Sequence, residues 1–122
     1  MKVIIDTNGL MIPVQFKVDI FTELSRLGYD EFIVPQAVVD ELRILVKRYK
    51  GDHKVAANVA LSLCDRCTII DTKGIADDVI VQLAEDTGAA VLTNDIGLRS
   101  RLDQKHISVI QLRQKNRLEI TV

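Results

Sequence analysis

The side chains most suited to chemistry in this sequence are acidic residues at the ends of apolar runs. Asp6 directly follows a run of branched apolar residues near the start of the chain, and Asp95 follows a second apolar run after one intervening residue. Glu41 and Asp77 lie between them in segments with helical periodicity. Each acid alone is typical of a helix cap or a solvated helix position. Several carboxylates gathered in one place would repel one another strongly unless a cation lay among them.

The donor types indicate which metal such a site would take. Carboxylate oxygens, with no converging His or Cys set, suit Mg²⁺ or Mn²⁺ rather than zinc. Cys64 and Cys67 form a CxxC pair, but His53 and His106 lie at no zinc-finger spacing from it. Because the pair closes a predicted helix, we expect partly buried free thiols, with a disulfide as the alternative, and both histidines on the surface.

The elements that must position the acids alternate between strands and helices. Strands are predicted at 2–6, 32–34, 68–70, 90–93 and 107–112, and helices at about 18–27, 35–51, 52–64, 76–87 and 97–105. This alternation predicts an α/β fold, a three-layer α/β/α sandwich with a central parallel sheet of about five strands, and residues 117–122 are expected to add an edge strand. Ligands bind beyond the carboxyl ends of parallel strands, so Asp6 and Asp95 meet in one cleft if their strands are neighbours.

Three local predictions concern single residues. Pro13 is expected in a loop after the first strand, and Pro35 in the first turn of a helix, where a missing N–H is tolerated. Val55 is expected on the buried face of the helix at 52–64.

Length and composition limit the organisation and location of the chain. With 122 residues, 48% hydrophobic content and no internal linker or repeat, one domain over residues 1–122 is expected. The apolar stretches are shorter than the ~20 residues that cross a bilayer, and the start of the chain lacks the regions of a signal peptide. We therefore expect no membrane association and a cytoplasmic location.

Basic residues are concentrated in two stretches although the net charge is −1. Residues 43–54 contain five basic residues against one acid, and residues 96–117 contain six against one. Each stretch alone is typical of a solvated surface, but beside an acidic cleft both would supply phosphate contacts. The Phe and Tyr residues fall mostly at core spacing, so no base-stacking platform is expected.

Four segments together resemble the PIN domain, a metal-dependent ribonuclease fold related to the 5′-nucleases. They are IIDTN at 4–8, PQAVVDEL at 35–42, ADDVIVQLA at 76–84 and VLTNDIGLRSRL at 91–102. They occur in the family's order and spacing over nearly the whole chain. The motifs are most similar to PIN domains of small-subunit ribosomal RNA processing factors, and next to VapC-like toxins.

The resemblance implies which residues form the site. The acids that it implies as ligands of Mg²⁺ or Mn²⁺ are Asp6, Glu41, Asp77 and Asp95, with Asp78 as the alternate for Asp77. The other site residues that it implies are Thr93, which hydrogen-bonds within the site, and the substrate contacts Asn8, Arg99 and Arg101. Asp6 and Asp95 would be direct ligands, and Glu41 a ligand or a water-orienting base.

The reaction implied by the resemblance is endonucleolytic hydrolysis of RNA phosphodiesters by a metal-activated water, in RNA processing or as a toxin. A homodimer is also implied, with an antitoxin or a ribosome assembly factor as a further partner. One alternative is a non-catalytic RNA-binding PIN scaffold in ribosome assembly, against which the intact acid set argues. The other is a receiver domain phosphorylated at Asp71, but receivers need an acidic pair after the first strand, where Asp6 stands alone.

Overall fold

A six-stranded sheet organises residues 1–121, the part of the chain that the computed structural model describes. The strands are β1 (Lys2–Ile5), β2 (Glu31–Pro35), β3 (Thr68–Ile70), β4 (Ala90–Leu92), β5 (Val109–Arg113) and β6 (Arg117–Thr121). Their order is β3-β2-β1-β4-β5-β6; the first five are parallel, and β6 pairs antiparallel with β5. The predicted parallel sheet and the added edge strand are confirmed, except that Val122 lies outside the described residues.

Six α-helices of the described residues connect the strands. They are α1 (Thr7–Phe16), α2 (Ile20–Arg26), α3 (Gln36–Arg48), α4 (Asp52–Leu63), α5 (Ala76–Thr87) and α6 (Ile96–Gln104). In β1, the consecutive residues Val3, Ile4 and Ile5 are all fully buried. Because successive side chains of a strand point to opposite faces, helices must cover the sheet on both sides, which confirms the layered α/β prediction. Among residues 1–121, no helix is long and apolar enough to cross a membrane.

The strand order reverses between β1 and β4, and this reversal positions the site. From β1 the chain proceeds outward through β2 to β3, then returns to form β4 on the other side of β1. In open α/β sheets the crevice at such a reversal, beyond the carboxyl ends of the strands, is where ligands bind. Receiver-type folds instead have the order 2-1-3-4-5. The observed order therefore contradicts the receiver alternative and its phosphoacceptor Asp71.

Two proline predictions are wrong. Pro13 lies inside α1 rather than in a loop, because the packing of buried residues such as Leu10 and Ile12 outweighs the backbone hydrogen bond that proline removes. Pro35 is the last residue of β2 and the N-cap of α3, with extended backbone angles rather than helical ones. Its partner in the sheet is Ile70, so pairing with β3 keeps this residue in the strand.

The prediction for Val55 is also wrong, since its side chain is 52% exposed. Helix α4 instead buries the small residues Ala56, Ala57 and Ala60, and it packs against α1 and α3. Alanines allow close approach of helices, so α4 turns its small face inward and leaves the larger valine in solvent.

The CxxC pair behaves as predicted. Both thiols are free, and each donates a hydrogen bond to a carbonyl one turn earlier, from Cys64 to Ala60 and from Cys67 to Leu63. Burial raises the pKa of Cys64 and raises the pKa of Cys67 to about 12, so the thiols are protonated at neutral pH.

Candidate active site

Asp6 occupies the first position after β1 and caps α1. One carboxylate oxygen accepts the N–H of Gly9 at 2.7 Å, and the other accepts the hydroxyl of Thr93. The side chain is only 5% exposed. A Cβ atom on Gly9 would lie 3.0 Å from the carbonyl oxygen of Leu92 and 3.1 Å from Oδ1 of Asp6, so glycine lets α1 start directly against β4. The carboxyl of Asp6 is therefore held in one orientation by the local backbone.

Thr93 links Asp6 to Asp95. Its fully buried hydroxyl donates to Asp6 and accepts the backbone N–H of Asp95 at 3.0 Å. Asp95 caps α6, where Oδ1 accepts the N–H of Leu98 at 2.9 Å. Both acids thus serve as helix caps. Because the cap on α6 uses only Oδ1 of Asp95, Oδ2 of this residue is left for a ligand.

A cleft of about 220 Å³ brings together the four acids that the sequence singled out. Glu41 reaches it from an exposed position on α3, and Asp77 from the first turn of α5. The described residues that line the cleft are Asp6, Thr7, Asn8, Met11, Glu41, Leu45, Tyr49, Ala76, Asp77, Ile80 and Asp95. Four different elements of the chain therefore deliver one acid each to the same cavity.

The geometry separates Asp77 from its alternate Asp78. Asp77 lines the cleft, whereas Asp78 lies outside this lining and pairs with Arg101, with 2.8 Å between Nη2 and Oδ1. Both partners of this ion pair are largely solvated, at 60% and 46% exposure. The position of the cleft therefore favours Asp77 as the third acid.

The predicted substrate contacts lie in different surroundings. Asn8 lines the cleft, and its side-chain oxygen accepts the N–H of Asn94 at 3.2 Å. Arg101 is close enough to the cleft for its charge to lower the pKa of Asp77. Arg99 is not among the described residues that line the cleft, and its guanidinium donates to the side-chain oxygen of Gln111 at 2.5 Å. The structure thus brings Asn8 to the acids and directs Arg99 toward β5.

Burial and mutual repulsion raise the pKa values of two of the acids. Burial is the largest cause at Asp6, where the pKa rises to about 7 although the hydrogen bonds from Thr93 and Gly9 oppose this rise. The negative charges of Asp95 and Asp77 raise it further. The pKa of Asp77 is raised by burial and then by Asp95, and lowered by Arg101. A cation in the cleft would relieve this repulsion, because it favours the ionised carboxylates.

The donor set fits a hard divalent cation. The acidic donors of the cleft are carboxylate oxygens, as Mg²⁺ and Mn²⁺ prefer. Within residues 1–121, no three His, Cys, Asp or Glu side chains converge closely enough to hold an ion together. Mg²⁺ commonly binds through one or two carboxylates, with waters and substrate phosphate completing its shell. The arrangement fits that mode better than an all-protein cage.

The two basic stretches differ in their pairing. In residues 96–117 the ion pairs are Arg99–Asp103, Arg101–Asp78, Lys105–Glu85, Arg113–Glu119 and Arg117–Glu119. In residues 43–54 the salt bridge is between Arg43 and Asp40, at 3.7 Å. The four exposed cations Lys47, Arg48, Lys50 and Lys54 make no ion pair with any residue of the described chain.

The fold and the site define a class of protein: a doubly wound α/β domain with an acidic cleft where the strand order reverses. A family model described as a PIN-like domain matches residues 3–115, which is nearly the whole chain. The chain belongs to the PIN-like domain family.

Curated relatives and solved structures agree with this membership. The chain is 31% identical over 115 residues to Ribonuclease VapC9 of Archaeoglobus fulgidus, covering 94% of this chain and 85% of that protein. It is 32% identical over 125 aligned positions to Ribonuclease VapC4 of Methanocaldococcus jannaschii, covering 98% of this chain and 95% of that protein. The solved structure of the PIN domain endonuclease Utp24 is similar, with a TM-score of 0.79, 25% identity and coverage of 98% and 90%. A domain of a functionally unknown protein from M. jannaschii supports the fold alone, with a TM-score of 0.62 at 19% identity and coverage of 92% and 91%.

Proposed function

We propose that this protein is a Mg²⁺- or Mn²⁺-dependent endoribonuclease that hydrolyses RNA phosphodiesters in the acidic cleft. Its family and its relatives, which are named ribonucleases and an endonuclease, make it a PIN-type endoribonuclease with a role in RNA processing or as a toxin. The observation that carries the metal dependence is the presence of four acids from separate elements in one cleft. Grouped carboxylates repel one another, and the negative charges of Asp95 and Asp77 add to burial, the largest cause, in raising the pKa of Asp6.

Asp6 and Asp95 are the residues proposed to hold the metal, and Asp77 contributes directly or through a water. When bound, the ion lowers the pKa of a coordinated water and neutralises charge that develops on the phosphate. The N–H of Gly9 and the hydroxyl of Thr93 hold the Asp6 carboxylate in position. Glu41, which is exposed on the cleft wall, orients the attacking water or accepts its proton. Of the proposed substrate contacts, Asn8 stands on the cleft wall and Arg101 stands close to Asp77.

The partners follow from the proposed activity and from the family. RNA is the proposed substrate, and the names of the curated relatives support an antitoxin partner. A homodimer, a ribosome assembly partner, a single PIN domain over residues 1–122 and a cytoplasmic location stay predictions from the sequence. Light scattering of the purified protein tests the homodimer, and a gene for a small DNA-binding antitoxin upstream would favour the toxin role.

The test is a cleavage assay on labelled single-stranded and structured RNA with Mn²⁺, Mg²⁺ or EDTA. Wild-type protein is expected to cut internally only with a metal present, and Asp6→Asn and Asp95→Asn are expected to lose that activity. Asp71→Asn is the matched control, because it removes one exposed carboxylate just after β3, outside the cleft lining.

Equal activity in the two cleft variants would contradict the assignment and would point to a contaminating nuclease. Metal-independent RNA binding without cleavage of any substrate would favour the non-catalytic scaffold instead.

A further inference from the structure

The cleft continues along one stripe of α3 to an aromatic residue. Glu41, Leu45 and Tyr49 are spaced four apart, so they lie on the same side of the helix, and all three line the cleft. Tyr49 is the C-cap of α3, and its N–H donates to the carbonyl of Leu45 at 2.8 Å. At 1.5 Å per residue, the Cα atom of Tyr49 lies about 12 Å along the helix from that of Glu41. The aromatic side chain therefore stands at the rim of the proposed catalytic cleft.

A histidine from the next helix lies against this ring. Gly51 has a φ of +62°, a left-handed conformation that favours glycine, and it lets α4 start immediately after α3. The tight turn brings the rings of Tyr49 and His53 to 5.6 Å between centroids, at an interplanar angle of 57°. Tyr49 is half-buried and His53 is exposed. The core spacing of the Phe and Tyr residues predicted no base-stacking platform, and the contact of His53 with Tyr49 argues against that prediction.

The positive charge around this pair is free for an anionic ligand. Lys47, Arg48, Lys50 and Lys54 surround the two rings in sequence, are exposed, and make no ion pair with the described residues. We call residues 47–54 the α3–α4 corner. The arginines of residues 96–117, by contrast, all form ion pairs with carboxylates. A phosphate would have to compete with those carboxylates for the arginines. A polyanion that approaches the cleft thus meets four cations without an ion pair at the α3–α4 corner, which contains one acid, Asp52.

We propose that the α3–α4 corner is a binding site for unpaired RNA, in which a nucleobase near the scissile phosphate stacks on Tyr49 and His53. The cations of the corner hold the flanking phosphates. This inference rests on the proposed function for its choice of RNA. Aromatic stacking combined with a basic path is the mode by which proteins bind single strands, and it needs a base that is free of its partner. The site therefore selects single-stranded or loop RNA over duplex and is tolerant of base identity.

The test separates stacking from phosphate contacts by measuring binding rather than cleavage. Fluorescence anisotropy in EDTA compares a labelled oligoadenylate with an oligomer of the same length whose central nucleotides are abasic. The wild type is expected to bind the base-containing strand more tightly. Tyr49→Ala is expected to lose about 5- to 150-fold in affinity for that strand, equivalent to the ~1–3 kcal/mol of one stacked base, and to bind the abasic strand nearly as the wild type does. Tyr49→Phe keeps the ring and is expected to retain the preference.

A variant of the exposed histidine and a spectroscopic signal guard against misfolding as the explanation, and two lysine variants test the phosphate contacts. His53→Ala changes an exposed side chain and is expected to weaken the same preference in a protein that melts like the wild type. Quenching of 2-aminopurine in the strand on binding to the wild type reports stacking directly. Lys50→Gln is expected to weaken the binding of both strands alike and to reduce the salt dependence of that binding. Lys2→Gln, a charge-matched control at the amino end of β1, is expected to change neither.

The outcomes are distinct from those of the cleavage assay. Equal binding of the two strands by the wild type, absence of 2-aminopurine quenching, or an equal loss for both strands in Tyr49→Ala would overturn the stacking site. Intact stacking in a protein that cleaves no RNA would overturn the nuclease function and leave the binding site standing.

Discussion

The hydroxyl of Thr93 donates a hydrogen bond to Oδ2 of Asp6, a residue 87 positions earlier in the chain. The hydroxyl oxygen of Thr93 also accepts the N–H of Asp95. One small side chain, fully buried directly after β4, therefore determines the orientation of one acid and the backbone position of another. This arrangement makes the carboxyl ends of β1 and β4 a single structural unit, and several predictions about stability and activity depend on it.

Replacing Thr93 by valine should destabilise the fold and reduce cleavage. The change keeps the shape of the side chain but leaves a buried oxygen of Asp6 without its donor, which costs about 1–3 kcal/mol. The pKa of Asp6 should rise further, because the lost hydrogen bond lowers it in the wild type. Urea unfolding measures the loss, and Thr68→Val at an exposed position of β3 is the matched control. A Thr93→Val protein as stable and as active as that control would contradict the assigned role of the hydroxyl.

The contribution of Asp6 to stability should depend on pH in the metal-free protein. Because burial raises its pKa from 3.8 to about 7, the folded state keeps a proton that the unfolded chain releases across this interval. The contribution is complete below about pH 4 and is lost as pH rises through 7, by up to about 1.4 kcal/mol per pH unit.

Asp6→Asn should remove this part of the slope, since its amide has no charge to desolvate. Denaturant unfolding between pH 4 and pH 8 in EDTA compares the two proteins, and the variant is expected to be the more stable at pH 8. Parallel stability curves for variant and wild type would show that the Asp6 carboxyl titrates normally.

Divalent metal should stabilise the wild type against heat. An ion that binds the folded state alone adds about 2.7 kcal/mol at a concentration 100 times its Kd. Asp6→Asn and Asp95→Asn should lose most of the rise in Tm with Mn²⁺ or Mg²⁺, whereas Asp71→Asn should keep it. The measurement needs no substrate, so a rise of equal size in all four proteins would place the bound ion outside the cleft.

Asp77→Asn and Asp78→Asn should separate the two neighbouring acids of α5. Loss of the carboxylate that lines the cleft is expected to lower metal-dependent cleavage by about 10- to 100-fold, the range typical of residues that support a metal through its waters. Loss of Asp78 breaks an exposed ion pair with Arg101, which contributes about 1 kcal/mol or less, and should leave cleavage within a few-fold of the wild type. The reverse order of activities would assign the site to Asp78.

Much of the fold could be predicted from sequence because its signals are local. The branched apolar runs before Asp6 and Asp95 predicted buried parallel strands, and helical periodicity with glycine stops predicted α2 and α5 close to their observed bounds. The failures occurred where packing outweighed local preference. Pro13 lies within a helix, and Val55 lies in solvent because alanines allow α4 closer contact.

The sequence by itself determined which residue types could form a site, because acids at strand ends and at the start of α5 are visible in the order of residues. Only the tertiary structure decided which of them meet. The pairing of β1 with β4 brings Asp6 to Thr93, the phase of α5 puts Asp77 rather than Asp78 into the cleft, and the turn at Gly51 joins Tyr49 to His53. The physical reason is that strand order and the position of the cleft depend on packing between distant segments, which no local pattern of residues specifies. The contact of Tyr49 with His53, four residues later, depends instead on the backbone turn at Gly51.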